Sequence, residues 1–422
     1  MSAKLSVRRL VSVVGALVVS VTTLTVAQQP PPAPPPAPLP SAALFNDAVV
    51  QRIDLRMHSS DWEKLKENFQ ENTYYPADLV WNGQTVANSG IRSRGLGSRS
   101  GTKPGLRVDF DRYATDRTFL GLKSIILDNL AQDASAIHET VTMKLFARLG
   151  IPAPREAHAR LYVDNKYVGL YAIVESIDKQ FLARAFGSIG GDTQNDGYLY
   201  EFDYIDPWTF SYLGSKLEAY AARFKSKTHD KKSMAERFGP IENLVRLVNE
   251  LPAEQFLSGL DQHLDLTALM RYVAAQTFVA QNDGFLGYAG MNNFYFYRLE
   301  NSTRHVFLAW DEDNAFWGHD YAIDTRHEEN VLMRKAMQVS ELRGTYYGML
   351  NEAMASADEP TGPAKISWLE LEIRRQSELI YDALREDPFK PYSLEAHDNA
   401  RTAMIEFAQQ RSRHLREQLT VR

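Results

Sequence analysis

Residues 281–317 read QNDGFLGYAGMNNFYFYRLENSTRHVFLAWDEDNAFW, and the rest of the chain is arranged around them. Asp283 sits in an Asn-Asp-Gly loop. Asn292 and Asn293 stand at the mouth of an aromatic run, Phe294 to Arg298. A second apolar run, His305 to Trp310, ends in Asp311 and Asp313. Paired as a hairpin, the two runs bring the loop before the first strand back to the loop after the second. One lone carboxylate, two amides and a carboxylate pair then surround one point. That set suits a cation bridging phosphate oxygens, with a separate carboxylate free to take a proton. Residues two apart on a strand face one side, so Asp311 and Asp313 can reach the same ion. Taken singly, Asn-Asp-Gly is a common turn and Asp-Glu-Asp-Asn a solvated acidic turn. Together, bracketing the Asn pair between aromatic strands, they point to a site.

Outward from this stretch, Leu264 to Gln281 reads as a helix that is apolar nearly all round (Leu266, Leu269, Met270, Tyr272, Val273, Phe278). Such a helix is buried, and it runs straight into Asp283. Beyond it, Glu328 to Val421 is helical and carries no second candidate site. Upstream, strands are expected at 49–57, in two pieces across 74–86, and at 102–110, 119–127, 157–163 and 167–174. A helix opens at Ser59 with a side-chain cap, another runs from Ala136 to Leu149 with Gly150 closing it, and Asp178 caps a third. The fold class is therefore α+β: a β-rich N-lobe over residues 44–176, a helical C-lobe over 177–422, and a cleft between them. Residues 190–197 and 225–232 read as polar loops.

Between two of the early strands lies Gly90 to Gly101, rich in Gly, Ser and Arg, and Lys103 opens the strand that follows. Glycines let backbone approach an anion while Arg and Lys supply charge. A plain Gly/Ser hairpin tip is the competing reading.

The 422 residues carry a formal net charge of -6, which argues against nucleic acid as a partner, and there is no cysteine, so disulfides, thiolate zinc and a cysteine nucleophile are excluded. Residues 1–27 have the order of a signal peptide: Lys4, Arg8 and Arg9, an apolar run, then Thr25-Val26-Ala27. Ser20, Thr22, Thr23 and Thr25 make a poor membrane anchor, so cleavage is expected, no membrane attachment after it, and a secreted, periplasmic or cell-envelope location in a bacterium. Residues 28–43 form a Pro-rich linker, and residues 44–422 the folded domain.

Arg92 to Arg99, Lys103, Phe119-Leu-Gly-Leu122, Gly169 to Asp178, Asn282-Asp283, Asn292-Asn293 and Trp310-Asp-Glu-Asp313 stand in the same order as the motifs of the spore coat protein H (CotH-like) family, which this chain resembles from about Phe45 to Trp317. The resemblance implies an atypical protein-kinase fold that uses ATP with Mg2+ or Mn2+ and phosphorylates Ser or Thr of extracytoplasmic proteins. It implies Asp283 as the catalytic Asp, and Asn292, Asn293, Asp311 and Asp313 as metal ligands. It implies Lys103, Arg94, Ser98 and Arg99 at the phosphates, Glu175 at adenine or ribose, and Glu139 as the partner of Lys103. The chain departs from ordinary kinases in having Gln281-Asn282 before Asp283 and no Asp-Phe-Gly. Some relatives act at cell surfaces, so a non-catalytic surface or coat-assembly binding protein on the same fold is the alternative. A glycoside hydrolase using Asp283 and Asp311 would leave the Asn pair, the Lys and the Gly/Ser loop unexplained.

Overall fold

A computed structural model of the chain describes residues 39–189 and 192–421. The expected signal peptide, the linker up to residue 38 and two residues of the polar loop 190–197 lie outside these. The described fold begins at Pro40, inside the stretch assigned to the linker: Pro40–Ala43 is a short 3-10 turn whose Ser41 is buried. Among the described residues, no helix is long and apolar enough to cross a membrane.

Seven strands close into a barrel in the order β1-β2-β3-β4-β5-β7-β6. They are β1 (Gln51–Arg56), β2 (Tyr75–Trp81), β3 (Gln84–Arg94), β4 (Gly105–Asp109), β5 (Ser124–Asp128), β6 (Glu156–Val163) and β7 (Lys166–Glu175). Most neighbours are antiparallel, as chain order dictates, and a parallel pair between β1 and β6 completes the ring. The turn between β2 and β3 is set by Asn82 and Gly83, both at positive φ, as a two-residue hairpin requires. The strand expected at 119–127 is shorter. Phe119 and Leu122 pair with each other in a tight turn, and only Ser124–Asp128 joins the barrel. The barrel interior is filled by inward residues such as Ile53, Leu55, Val108, Ile125, Leu127, Tyr171 and Ile173.

Helix α1 (Ser59–Glu67) lacks the expected cap, because the preceding residue is His58, whose side chain makes no cap bond. Helix α2 (His138–Arg148) lies between β5 and β6 and stops at Gly150, at φ +70°. Helix α3 (Lys179–Phe186) is capped as expected, Asp178 accepting from the backbone N–H of Gln180 and Phe181.

The outer faces of β5 and β7, through Ile126, Ala172 and Val174, share a core with Leu199, Tyr295, Leu308 and Trp310. Leu199, Tyr295 and Leu308 belong to a second, four-stranded sheet in which Tyr198–Phe202 pairs with Phe224–Ser226 on one side and with the hairpin Phe294–Arg298/His305–Ala309 on the other, and Trp310 directly follows it. The stretch expected as a wholly solvated loop, 225–232, thus contributes the edge of this sheet. Beneath it runs the expected buried helix, Leu266–Phe278, with ten of its thirteen residues buried. It packs most heavily on the helix Ser340–Asp358. Of the last long helices, Trp368–Glu386 returns to α2 and β7, and Leu394–Thr420 packs on it and on Ser340–Asp358. Mixed α+β architecture is as expected from the sequence.

Candidate functional site

The buried helix ends at Phe278, and residues beyond it run beside the turn that follows the aromatic hairpin. Phe316 N–H donates to Val279 C=O, Trp317 N–H to Ala280 C=O, and Asn282 N–H to Asn314 C=O. These bonds fix Asp283 next to Asp311–Asp313. Ala280, Asn293, Asp311 and Phe316 all have φ between 53° and 61°. Backbone held in this sparsely populated region marks segments that the surrounding packing over-determines.

Asp283 Oδ2 accepts from Asn292 Nδ2 at 3.2 Å and from Asn293 Nδ2 at 3.3 Å, and Asn293 Nδ2 also reaches the Asp283 carbonyl at 2.9 Å. The sequence reading put both amides on a metal with Asp311. Here their nitrogens hold Asp283. Burial raises the pKa of Asp283, and the two amides partly offset that.

Opposite, a small cleft is lined by Asp128, Asp133, Glu139, Thr140, Glu156 and Asp313, with Leu130, Gln132, Ala136 and Ala172. Burial, then the Asp128 carboxylate, push Asp311 up to about 6. Burial, then Asp311, raise Asp313. Burial raises Glu139, with Glu156 and Asp311 adding to it, and burial pushes Glu156 up to about 8. Thr140 Oγ1 donates to Glu156 Oε2 at 2.9 Å, while Glu156 Oε1 is buried and has no partner among the described residues. Arg94 brings positive charge: its Nη1 lies 3.9 Å from Asp128 Oδ2, and its guanidinium sits 5.4 Å over the Trp310 ring. Among the described residues, no three His, Asp or Glu side chains are drawn around one point as ligands of a single ion.

Glu312, between the two aspartates, turns the other way. It is fully buried, and its oxygens accept from Gln276 Nε2 at 2.7 Å and Gln281 Nε2 at 2.9 Å. Burial pushes it up to about 8.

Several sequence expectations need correction. Lys103 does not pair with Glu139. Its ammonium is buried against Asp387, at 2.8 Å, in the turn after Trp368–Glu386. Asp387 also accepts the Leu170 and Phe389 N–H groups, and a Cβ on Gly169 would collide with it. Glu139 instead accepts the Asp311 N–H, at 3.1 Å. Glu175 is not open to a nucleotide: all four of its contacts are spent on Arg155 and Arg184, at 2.6–3.2 Å. Arg99 is spent on the Gly95, Phe69 and Glu71 carbonyls and the Asn72 side chain, stapling its loop to the end of α1. Ser98 is held through its carbonyl by Asn129. Of the expected phosphate group, Arg94 is the residue brought to the acidic residues.

Asp128, Glu156, Glu312 and Gln276 escaped the sequence reading. Asp128 and Glu156 look like the polar ends of ordinary strands, and only the closed barrel brings them to α2. Glu312 stood within the quoted Asp-Glu-Asp run without a role of its own, because the strand ends at Ala309 and the positive φ of Asp311 that turns Glu312 inward has no sequence signal.

A family model described as CotH kinase protein matches residues 91–415. The chain is also similar to the inner spore coat protein H of Bacillus subtilis (strain 168), with 25% identity over 89% of this chain and 99% of that protein.

Proposed function

We propose, from the premise that the chain belongs to the CotH kinase protein family, that it transfers the γ-phosphate of ATP to a Ser or Thr hydroxyl of an extracytoplasmic protein. The observation that carries this reading is Asp283, a lone carboxylate held by two amides and laced by backbone bonds to the Asp311–Asp313 turn. In this reading Asp283 aligns the acceptor hydroxyl and takes its proton, and the burial that raises its pKa makes it a better base. Asp311 and Asp313, with the Oδ1 of Asn293, hold Mg2+ or Mn2+. The donors are all hard oxygens, and the orphaned Glu156 Oε1 is a nearby buried acceptor with no donor of its own. When bound, the ion neutralises charge on the transferring phosphoryl group. Arg94 orients a phosphate oxygen from the barrel side. Residues 44–176 and 177–422 act as the two lobes of a kinase-like fold. Export through the expected signal peptide puts the protein in the envelope or medium, in keeping with the coat location in the relative's name.

The second reading is a coat-assembly binding protein without turnover. One observation favours it: Lys103 is committed to Asp387 rather than to a phosphate. Labelled ATP with Mg2+ or Mn2+ separates the two. Phosphate incorporation into the protein itself or a Ser/Thr-rich acceptor is expected from wild type. Asp283→Ala should bind ATP equally and lose at least about a hundredfold in transfer. Equal incorporation by the variant removes Asp283 from the reaction. ATP binding without incorporation by wild type, across varied acceptors, establishes the binding protein.

A further inference from the structure

We infer that Glu312 is a positioning residue that locks the Asp283 loop to the Asp311–Asp313 turn; its effect on phosphate transfer rests on the reading above. The argument is one of hydrogen-bond direction. Gln281 Oε1 accepts the Asp283 N–H at 3.0 Å, so its Nε2 is what faces Glu312. Gln276 Oε1 accepts the Phe285 N–H at 3.1 Å, so its Nε2 also faces Glu312. Both glutamines are therefore fixed in orientation by backbone on the Asp283 loop, and both present donors to residue 312. Only a side chain that accepts at both terminal atoms satisfies them, and a carboxyl group, with lone pairs on both oxygens, does. Gln281 Nε2 additionally reaches the Asp311 carbonyl at 3.4 Å. Asp283 and Asp311 are thus joined through one buried glutamate and two amides, all anchored on the end of the buried helix.

A glutamate that merely filled space would tolerate glutamine, its near-isostere. The directional network does not. In Glu312→Gln one NH2 faces another NH2. Either Gln281 turns and abandons the Asp283 N–H, or Gln276 turns and abandons the Phe285 N–H. Exchanging the two groups, Glu312→Gln with Gln281→Glu, restores the bonds to the Asp283 and Phe285 N–H groups and those joining residues 276, 281 and 312, and gives up only the long contact from residue 281 to the Asp311 carbonyl. The new carboxylate at 281 accepts both the Asp283 N–H and the amide at 312, whose carbonyl accepts from Gln276.

The test measures amide hydrogen exchange across 281–285 in the full chain for wild type, the single variant and the exchanged pair. Thermal melts check that each is folded. Exchange of the Asp283 or Phe285 amide should rise roughly tenfold in Glu312→Gln and return to within about threefold of wild type in the pair. In the same proteins kcat for phosphate transfer should fall about a hundredfold in the single variant, with KM for ATP within about twofold, and recover in the pair. Unchanged exchange in the single variant, or no recovery in the pair, overturns the lock. Altered exchange with unchanged kcat in an active wild type shows a structural glutamate and overturns the positioning role. If wild type transfers no phosphate, the phosphotransfer reading fails by itself, and the exchange measurements still decide whether Glu312 holds the two segments together.

Discussion

At the scale of single residues, the carboxylates crowded around α2 make the stability of the metal-free protein depend on pH in an unusual direction. Glu156 has a folded-state pKa of about 8 because it is buried, against an unfolded value near 4.5. Between those values the folded state binds the extra proton, so stability falls as pH rises. Each such group costs about 1.4 kcal/mol per pH unit at most. Denaturant melts from pH 5 to 8 should show this decline in wild type and a flatter one in Glu156→Gln; equal slopes would mean that Glu156 is ionised throughout. Divalent cations should reverse the loss, since ligands shed protons to bind metal. At pH 8, Mg2+ or Mn2+ should raise the melting temperature of wild type but not of Asp311→Asn; an equal rise in both would place the ion elsewhere. The identities of Asp283, Asn292, Asn293, Asp311 and Asp313 were legible because they lie close in sequence, on a hairpin whose pairing follows from its pattern. Their partners were not. Which way each Asn amide turns is seen only in its bonds to Asp283, nine and ten positions back, which spacing does not encode.

At the scale of elements, periodicity carried far. Strands β1, β2, β4, β6 and β7, helix α2 with its terminal Gly150, α3 with its Asp178 cap and the buried helix all fall where alternation and capping put them, whereas β3 runs on past the expected end at Val86 to Arg94, inside the Gly/Ser/Arg stretch. What failed was the assignment of charged loop residues. Lys103, Arg99 and Glu175 carry the right chemistry for a nucleotide, but each has a buried partner far away in the chain. The Lys103–Asp387 pair spans 284 positions, beyond any local signal. An exposed lysine there would be dispensable to the fold. The observed one is not: both partners are almost wholly buried, and truncating one strands the other's charge. Lys103→Ala should destabilise the protein by about 3–5 kcal/mol in denaturant melts. A change under about 0.5 kcal/mol, the size typical of a surface site, would contradict the burial of this pair.

At the scale of the whole molecule, the α+β class and the order of a β-rich half followed by a helical half were readable from pattern alone. The closed barrel was not, because its last seam is the parallel β1–β6 pair, about a hundred residues apart along the chain and without a turn to announce it. One expectation concerns residues outside the described structure. Intact-mass analysis of protein recovered from the envelope or medium should give a chain starting near Gln28, and a mass that retains Met1 would rule out cleavage. The Lys103–Asp387 bond also has a kinetic side. A chain that emerges N-terminus first brings out every barrel strand long before Asp387. Until that residue arrives, Lys103 lacks the carboxylate it is buried against in the finished fold, and the contact closes a loop of 284 positions. Completion of the fold therefore waits on a residue 284 positions downstream of Lys103. A chain cut off just before that point carries all the candidate catalytic groups but not the partner of Lys103, and should be cleaved by protease faster than the full chain; equal rates would show that the pair does not complete the fold.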